Sequence, residues 1–582
     1  MRGLDSPWGL RVTGLVGVAV VAAGAYGAGA LPGRDPGAGL RGAGSPGVGF
    51  WLGLAGWVVG LAILSGAWWR LGKRLSAVSS RWLIVTGALW ALPLLLAPPL
   101  ASRDVYSYAC QGQIWNSGLD PYAVGAVDGG CSWAGSVPDL WQHTPAPYGP
   151  VGVALSGAAA AVGRAVGGPA GHQLLAAVTV LRIVALVGGV LIAVYAGRLA
   201  TAAGIEPTAA RWLGLLSPLV AVHLVSGAHN DALTAGLTVA ALAIAASANV
   251  RRQANGEQPP NDRVATTGEV SAESPPWRAA LAAGAFIGLA VAAKVTAVIA
   301  LPFVILLVAG WRTRRRATTA IAIAALTVTA TGALVFAAAS LAAGLDLGWF
   351  GALSDTGSLV QWTSLPTGVG MAVGYLLRVA GWPGAVDTAV YVARICGVGA
   401  LALIGLGLCW RALQATLRGR LTNEQPDEKR TELTAAPAGA GSANHDALNS
   451  ASAPAPTNHR QTRQENVAHE PDASAAHRRQ VVAAAGWTLA AAAILLPVFY
   501  PWYAIAPLAV LACATPPGKT RTALAATAIA ISALIIPNGL GLAVLTKLPG
   551  AILDVAIVAA IAYRFRSRRG NHGDPVPADG ER

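Results

Sequence analysis

Long apolar runs alternate with short polar connections over most of the 582 residues of this chain. An α-helix needs about twenty apolar residues to cross the hydrocarbon core of a bilayer, so these runs predict an all-α polytopic membrane protein. The 54% content of hydrophobic residues excludes an ordinary soluble domain. The predicted spans lie at about 11–30, 48–70, 82–100, 173–197, 208–225, 231–249, 278–293, 295–311, 317–341, 386–410, 481–497, 502–515, 521–538 and 548–565.

Two further apolar segments, 150–168 and 367–382, are predicted to lie at the membrane surface. A full span at either place would move Arg198 or Arg411 to the side opposite the other positive clusters. We therefore expect both segments to be interfacial helices on the outer face.

The chain is expected to divide into four parts. Residues 1–417 form a transmembrane core that includes an outer loop at 101–149, and residues 480–566 add C-terminal transmembrane helices. The tract 418–479 is rich in Pro, Ser, Asn and Ala with few large apolar side chains, which predicts a disordered cytoplasmic loop. Residues 567–582 are predicted to be a disordered cytoplasmic tail.

Positive charge is concentrated in short clusters between the apolar runs. The chain carries 41 Lys and Arg against 27 Asp and Glu, a net charge of +14, but these residues form no continuous basic surface. Their arrangement follows the positive-inside pattern of membrane proteins. We therefore expect a lipid bilayer as partner and no nucleic acid, with residues 101–149 outside the cell and 418–479 in the cytoplasm.

The loop 101–149 is polar, aromatic and rich in turns, unlike the rest of the chain. Residues 103–117 carry a helical period, with Val105 and Tyr108 on one face. Ser102 is a suitable N-cap, which places Asp104 in the first helical turn, where backbone amides favour an ionised carboxylate and also attract phosphate. The alternative for Asp104 is a structural helix-end charge paired with Arg103.

Two of the five cysteines lie in this same loop, and the spacing of the five fits no zinc site. Cys110 and Cys131 share the side of the membrane expected to be oxidising, which allows a disulfide between them. In the other interpretation, Cys110 is a small buried residue on the loop helix.

Charged side chains also interrupt apolar runs at two other outer turns. Lys294 divides two short helices, and a charge at membrane depth indicates function by default, although a lysine can also snorkel to the headgroups. His229, Asn230 and Asp231 separate two apolar runs, and the alternative for this group is a helix cap.

Aromatic residues mark two more outer segments. The stretch PVFYPWY, residues 497–503, turns the chain with two prolines and either binds substrate by stacking or belongs to an aromatic belt at the lipid interface. The segment GWFGALSDTGSLVQWTSLPTG connects the ninth span to the second interfacial helix and contains Gln361 and Trp362.

At RDVYSYACQGQIWNSGLDPYAVG, followed by TPAPYGP and GAHND, the sequence resembles the actinobacterial polyprenol-phosphomannose-dependent α-(1→6)-mannosyltransferases of lipomannan and lipoarabinomannan synthesis. The resemblance covers residues 14 to 565 in topology. It implies a GT-C-type transmembrane helix bundle with a large first catalytic outer loop, located in the plasma membrane with its active site facing the exterior.

The resemblance also implies the reaction and its residues. Mannose would pass from polyprenyl-phosphate-mannose, with inversion, to a mannan or a phosphatidylinositol-mannoside-type lipid. Asp104 would be the general base, and Arg103, Lys294 and His229 would face the leaving phosphate. No cofactor is certain, and a divalent metal stays open because some members of the broader class use one. The side chains expected to bind the acceptor or the sugar are Tyr106, Gln111, Tyr122, Tyr148, Asn230, Asp231, Gln361, Trp362, Tyr500 and Trp502.

Two other functions remain open from the sequence. A secondary transporter or lipid flippase would use Asp104, Lys294 and His229 as an ion path, but such proteins usually contain internal repeats, and none is convincing here. A transferase of the same fold with another polyprenyl-phosphate sugar is the second alternative, since sugar choice depends on a few hydrogen bonds in the pocket.

Overall fold

The computed structural model describes residues 3, 5–33, 47–254, 277–310, 314–357, 359–417, 473–539 and 546–570. These residues form a bundle of α-helices. In chain order the helices are α1 (Pro7–Ala28), α2 (Val48–Gly72), α3 (Ser80–Leu96), α4 (Asp104–Asn116), α5 (Pro150–Val166), α6 (Ala170–Ala202), α7 (Pro207–Gly214), α8 (Asp231–Ala254), α9 (Trp277–Ala293), α10 (Leu301–Ala309), α11 (Arg314–Ala343), α12 (Trp349–Gly357), α13 (Leu365–Val379), α14 (Val386–Leu417), α15 (Ala473–Leu495), α16 (Ile505–Ala512), α17 (Lys519–Ser532) and α18 (Lys547–Gly570).

Among the described residues, six helical stretches are long and apolar enough to cross a membrane. The prediction of an all-α polytopic membrane protein is therefore confirmed. The six stretches are Pro7–Ala28, Val48–Gly72, Ala170–Ala202, Asp231–Ala248, Ala317–Ala343 and Pro383–Leu417.

Three of the predicted spans are broken rather than continuous. The span at 208–225 consists of α7 and a separate π-helical segment, Val220–Ser226, because Pro218 lies between them and has no backbone N–H to donate. The spans at 295–311 and 502–515 each begin as a 3₁₀ segment, Val295–Ala300 and Pro501–Ala504, before α10 and α16. The second break follows Lys294, and the third lies within the aromatic stretch 497–503.

Both segments predicted as interfacial helices, 150–168 and 367–382, form short helices, α5 and α13. The connection between α11 and α13 contains a further helix, α12. Trp349 at the start of α12 is buried against Tyr122 and Leu345, and this packing stabilises a helix that has no strong local signal.

The boundaries of the expected disordered tracts differ at two places. Residues 418–472 lie outside the described part, but 473–479 are helical rather than disordered, because α15 begins at Ala473. Its first turns are fixed by tertiary contacts: Arg478 donates from Nε to the Ala202 carbonyl at 2.6 Å, and His477 Nε2 lies 2.9 Å from Thr416 Oγ1. At the other end, α18 continues through Gly570, past the predicted boundary at 566, and 571–582 lie outside the described residues.

Helix α4 is held against α5 by a close approach of the two backbones. A Cβ atom at Gly112 would stand 2.0 Å from the Ser156 carbonyl oxygen, so only glycine fits there. The observed helix matches the period predicted for 103–117, and it carries Asp104 at its N-terminus. This packing fixes the direction of α4 and hence the position of Asp104.

Candidate active site

A cavity opens beside the N-terminal half of α4, and its open space of about 680 Å³ includes solvent at its mouth. Its walls come from five parts of the chain: α4, the loop that precedes α5, the break between α9 and α10, α12, and the turn that precedes α16. The lining includes Asp104, Gln111, Tyr148, Lys294, Tyr500 and Trp502 among the residues predicted from the sequence.

Asp104 provides a carboxylate of this cavity. Its backbone N–H donates to Ser102 Oγ at 3.0 Å. Ser102 was predicted to be the N-cap of α4, but Arg103 occupies that position, and Ser102 accepts this hydrogen bond from one residue farther out. Burial raises the pKa of the Asp104 carboxyl to about 6, while the Ser102 hydrogen bond and the charge of Lys294 oppose that rise. At neutral pH the group is mainly ionised and close to its titration, which suits a general base.

His229 lies behind Asp104, with Nδ1 3.7 Å from Asp104 Oδ2 and 3.3 Å from the Tyr108 hydroxyl. Its ring stacks on Trp502 with centroids 3.8 Å apart, and Trp502 in turn stacks on Tyr500 at 4.7 Å. Complete burial, followed by the influence of His223 and Lys294, holds the pKa of His229 well below its usual value. The imidazole is therefore neutral at physiological pH and can offer an N–H or a lone pair, but not a full charge.

Lys294 occupies the break between α9 and the 3₁₀ segment Val295–Ala300. Its ammonium donates to both carboxylate oxygens of Asp231, at 2.8 and 2.9 Å, and lies 4.1 Å from the centroid of the Tyr503 ring. The side chain is only 12% exposed, so it is held inside the protein rather than extended to the headgroups as snorkelling requires. Asp231, which is predicted to contact the sugar or the acceptor, is the partner of Lys294 in this ion pair.

Arg103 adjoins Asp104 in sequence but is not among the residues that line the cavity. Its Nε donates to Asn538 Oδ1 at 2.7 Å, and its Nη1 donates to the carbonyls of Ser136 and Gly33 at 3.1 and 3.2 Å. The phosphate contact of Arg103 stays a prediction. In the structure, the guanidinium ties the start of α4 to the loop and to the segment that follows α17.

Several predicted binding residues also lie outside the cavity lining. Tyr106 donates its hydroxyl to the Ala30 carbonyl at 2.5 Å, and Trp362 donates Nε1 to Thr546 Oγ1 at 3.1 Å, so both have structural partners. Tyr122 packs beside α12. Gln361 reaches the cavity indirectly through a hydrogen bond with Tyr500, and Asn230 is in the turn beside Asp231 without lining the cavity.

The sequence interpretation missed part of the lining. Trp141, Thr144 and Pro147 come from the loop before α5, and Leu353 comes from α12. The stretch TPAPYGP could have pointed to Thr144 and Pro147, since it lies within one of the quoted motifs. Trp141 and Leu353 carry no comparable local signal, because only the tertiary fold brings them to Asp104.

A disulfide joins Cys110 of α4 to Cys131 of the loop, with the two Cα atoms 5.5 Å apart. It closes the loop onto the helix that carries Asp104, which fits an oxidising environment. Within the described ranges, no group of three or more His, Cys, Asp and Glu side chains is arranged to hold a metal ion.

These features define a polytopic membrane protein whose site is a partly enclosed cavity with one carboxylate, a paired lysine and stacked aromatic rings. The family model described as the N-terminal domain of α-(1→6)-mannopyranosyltransferase matches residues 11–310, just over half of the chain. A second model, described as the MptB C-terminal domain, matches residues 473–564. The chain belongs to the α-(1→6)-mannopyranosyltransferase family and is a glycosyltransferase.

Curated relatives agree with this assignment. An α-(1→6)-mannopyranosyltransferase of Mycobacterium tuberculosis is 32% identical over 440 residues, 71% of this chain and 72% of that protein. A probable α-(1→6)-mannopyranosyltransferase of Mycolicibacterium smegmatis is 34% identical over 423 residues, with coverages of 71% and 72%. An α-(1→6)-mannopyranosyltransferase A of Mycobacterium tuberculosis is 30% identical over 374 residues, with coverages of 62% and 64%. No solved structure matches this chain significantly.

Proposed function

We propose that this enzyme transfers mannose from polyprenyl-phosphate-mannose to the 6-hydroxyl of an α-(1→6)-linked mannan acceptor, with inversion at the anomeric carbon. The linkage follows from the names of the relatives. The lipid-linked donor agrees with a site built among membrane helices, and no cytoplasmic loop carries a glycine motif for a nucleotide.

In the proposed reaction, a bond forms between the acceptor oxygen and the anomeric carbon while the bond from that carbon to the phosphate oxygen breaks. Asp104 takes the proton of the acceptor hydroxyl as the sugar gains positive charge. Polyprenyl phosphate leaves as an anion, so it needs stabilisation by charge and hydrogen bonds rather than a second carboxylic acid. A β-linked donor then gives an α-linked product.

The observation that carries this proposal is that Asp104 and Lys294 line one cavity from different parts of the chain. Two N–H bonds of the lysine are directed at Asp231, and its third remains for a phosphate oxygen. Neutral His229 supplies a further polar group beside Asp104. Tyr500 and Trp502 add aromatic surface for the apolar face of a sugar ring.

Membranes that contain the chain, supplied with radiolabelled polyprenyl-phosphate sugars and α-(1→6)-linked mannosides, test the proposal. We expect transfer from the mannosyl donor, and we expect an α-specific exomannosidase to release the transferred mannose from the product. Transfer only from a glucosyl or arabinofuranosyl donor would mean that the enzyme is a transferase of the same fold that uses a different sugar. Movement of a lipid or ion across the bilayer with no transfer from any of these donors would favour a transporter or flippase.

We further propose that the site belongs to a GT-C-type bundle in the plasma membrane and faces the exterior, where it extends mannan of the lipomannan and lipoarabinomannan type. Val127 on the loop 101–149 is 43% exposed, and Lys73 lies at the end of α2 in a positive cluster. With the free cysteines replaced by serine, Val127→Cys should react with a membrane-impermeant maleimide in intact cells. Lys73→Cys should react only after permeabilisation, and the reverse pattern would invert the orientation.

A further inference from the structure

A second cavity lies farther along the helix that carries Asp104. It is lined by Trp115, Gly118, Leu119 and Asp120 from the end of α4 and the turn after it, and by residues 344–346 after α11. Its open space is also about 680 Å³. The proposed reaction gives this cavity no role.

The two cavities follow one face of α4. Asp104, Ser107, Tyr108 and Gln111 line the first cavity, and Trp115 and Gly118 line the second, so successive positions are separated by one, three or four residues. This spacing is that of a single helix face. Trp115 follows Gln111 by roughly one turn and Asp104 by roughly three turns, with a rise of about 5.4 Å per turn. That rise is comparable with the length that each unit adds to a hexose chain.

The second cavity combines an aromatic ring with two carboxylates from separate parts of the chain. Trp115 is fixed by a hydrogen bond from Nε1 to the Ala343 carbonyl at 2.9 Å. Asp120 accepts from the Tyr122 backbone N–H at 2.8 Å and Asp346 from the Gly348 backbone N–H at 2.7 Å, in each case through Oδ1. Each carboxylate keeps further acceptor capacity.

Tyr122 adds a polar group beside this pair. The side chain is only 6% exposed, and its hydroxyl has no hydrogen-bond partner among the described residues. Its backbone N–H is bonded to Asp120, and a Cβ atom at Gly348 would stand 2.9 Å from both Asp346 Oδ1 and Tyr122 Cβ, so both carboxylates lie near this residue. Burial, and after it the charges of Asp120 and Asp346, hold the pKa of this phenol above its usual value. Tyr122 does not itself line the cavity, so the two carboxylates are the groups that face a ligand there.

The charge of the cavity selects the chemistry of its ligand. Two carboxylates repel a phosphate group, which excludes the lipid-linked donor and anionic headgroups, but they accept hydrogen bonds from neutral hydroxyls. A neutral sugar offers several hydroxyls together with an apolar ring face for an aromatic side chain.

We propose that the second cavity is a distal acceptor subsite, which binds a neutral hexose unit of the acceptor about three units away from the hydroxyl that reacts at Asp104. The acceptor chain lies along α4 between the two cavities. This inference rests on the proposed function, because it assigns the growing mannan as acceptor. The enzyme consequently uses long acceptors better than short ones.

The test compares α-(1→6)-linked manno-oligosaccharides from disaccharide to hexasaccharide, as octyl glycosides, in the wild type and in an Asp120→Asn, Asp346→Asn double variant. Asparagine keeps the oxygen that caps each turn, so the fold is retained while charge and acceptor strength are lost. Asp387→Asn, an exposed carboxylate at the start of α14, is the matched control. Trp115→Phe provides a second, independent change in the cavity.

In the wild type we expect kcat/KM to rise about tenfold between the disaccharide and the tetrasaccharide. Only the tetrasaccharide reaches the second cavity, where it gains one or two hydrogen bonds to charged groups. The double variant and Trp115→Phe should lose most of this rise while disaccharide kinetics and the control stay unchanged. Wild-type kinetics that are independent of chain length, or variants that keep the full rise, would overturn the subsite.

Equilibrium binding of the labelled tetrasaccharide without any donor separates this inference from the proposed reaction. If transfer from polyprenyl-phosphate-mannose fails but tetrasaccharide binding weakens only in the cavity variants, the donor assignment is wrong and the subsite stands. If all variants bind the tetrasaccharide as the wild type does, the subsite is wrong whatever the donor.

Discussion

Helices α1 and α2 run without interruption for 22 and 25 residues, whereas the segments around the first cavity are broken close to it. In the α1–α2 pair, glycines let the backbones touch: a Cβ atom at Gly17 would stand 2.9 Å from the Gly60 carbonyl oxygen. Around the cavity, the chain instead breaks at Lys294 and before Asp231.

The difference shows how one chain provides both rigidity and polar chemistry within a membrane. Continuous helices satisfy their own backbone hydrogen bonds and can pack closely through small residues. A break exposes polar backbone and admits charged side chains, which is tolerated only where protein surrounds a cavity. We therefore expect substitutions at the breaks to affect catalysis and substitutions between α1 and α2 to affect stability.

The largest expected effect is at Asp104. Asp104→Asn keeps the shape and removes the proton acceptor, so transfer should fall by about 10² to 10⁴-fold in a steady-state assay. Asp128→Asn, on the same loop but exposed and beside His143, is the control and should retain nearly full activity. Near-normal transfer by a correctly folded Asp104→Asn enzyme would give this carboxylate a structural role.

Lys294 comes next. Lys294→Gln removes the positive charge opposite Asp104, so we expect kcat/KM for the donor to fall roughly 10²-fold, with a smaller change in the KM of the acceptor. Lys294→Arg should retain part of the activity, because charge is kept in a different geometry. Lys73→Gln, at an exposed position, is the control.

The ion pair with Asp231 sharpens this experiment. Lys294→Gln alone leaves the Asp231 carboxylate buried without its partner, which is expected to lower stability. Adding Asp231→Asn should restore the thermal unfolding temperature but not donor use. Recovery of both properties in the double variant would mean that Lys294 acts only as a structural partner of Asp231.

A smaller effect is expected from pH. Asp104 accepts a proton only in its ionised form, and its pKa is raised to about 6 by burial. Transfer should therefore be constant above this pKa and fall about tenfold for each pH unit below it. A profile of kcat/KM between about pH 5 and 8 measures this limb, and full activity at the acidic end would exclude Asp104 as the group that titrates.

The sequence indicates those parts of the site whose chemistry is costly in a membrane. Lys294 is visible because a charge between apolar helices is unusual, and Asp104 because a polar loop with a helical period follows an apolar run. The fold class is visible in the lengths of the apolar runs. All three signals are local patterns, so one amino-acid sequence is sufficient to detect them.

Other features depend on contacts that no local pattern contains. Arg103 and Asp104 are adjacent in sequence, but the start of α4 directs one to Asn538 and the other to the cavity. Leu353 enters the lining on a helix stabilised by packing at Trp349. Residues 473–479 have the composition of the tract before them, but they become helical by docking against α6 and α14.

The smallest effect on catalysis is expected in the α1–α2 pair, at Gly17. Gly17→Ala would place Cβ 2.7 Å from the Leu64 backbone nitrogen, so the two helices must separate, at a cost of about 1–3 kcal/mol in stability. Gly66→Ala on α2, where a Cβ atom meets nothing within 4 Å, is the matched control and should be neutral or slightly stabilising. Thermal unfolding in detergent measures the stability difference, while kcat at a permissive temperature should be the same in both variants. A Gly17→Ala enzyme with normal stability and reduced kcat would show that the continuous helices also take part in shaping the cavity.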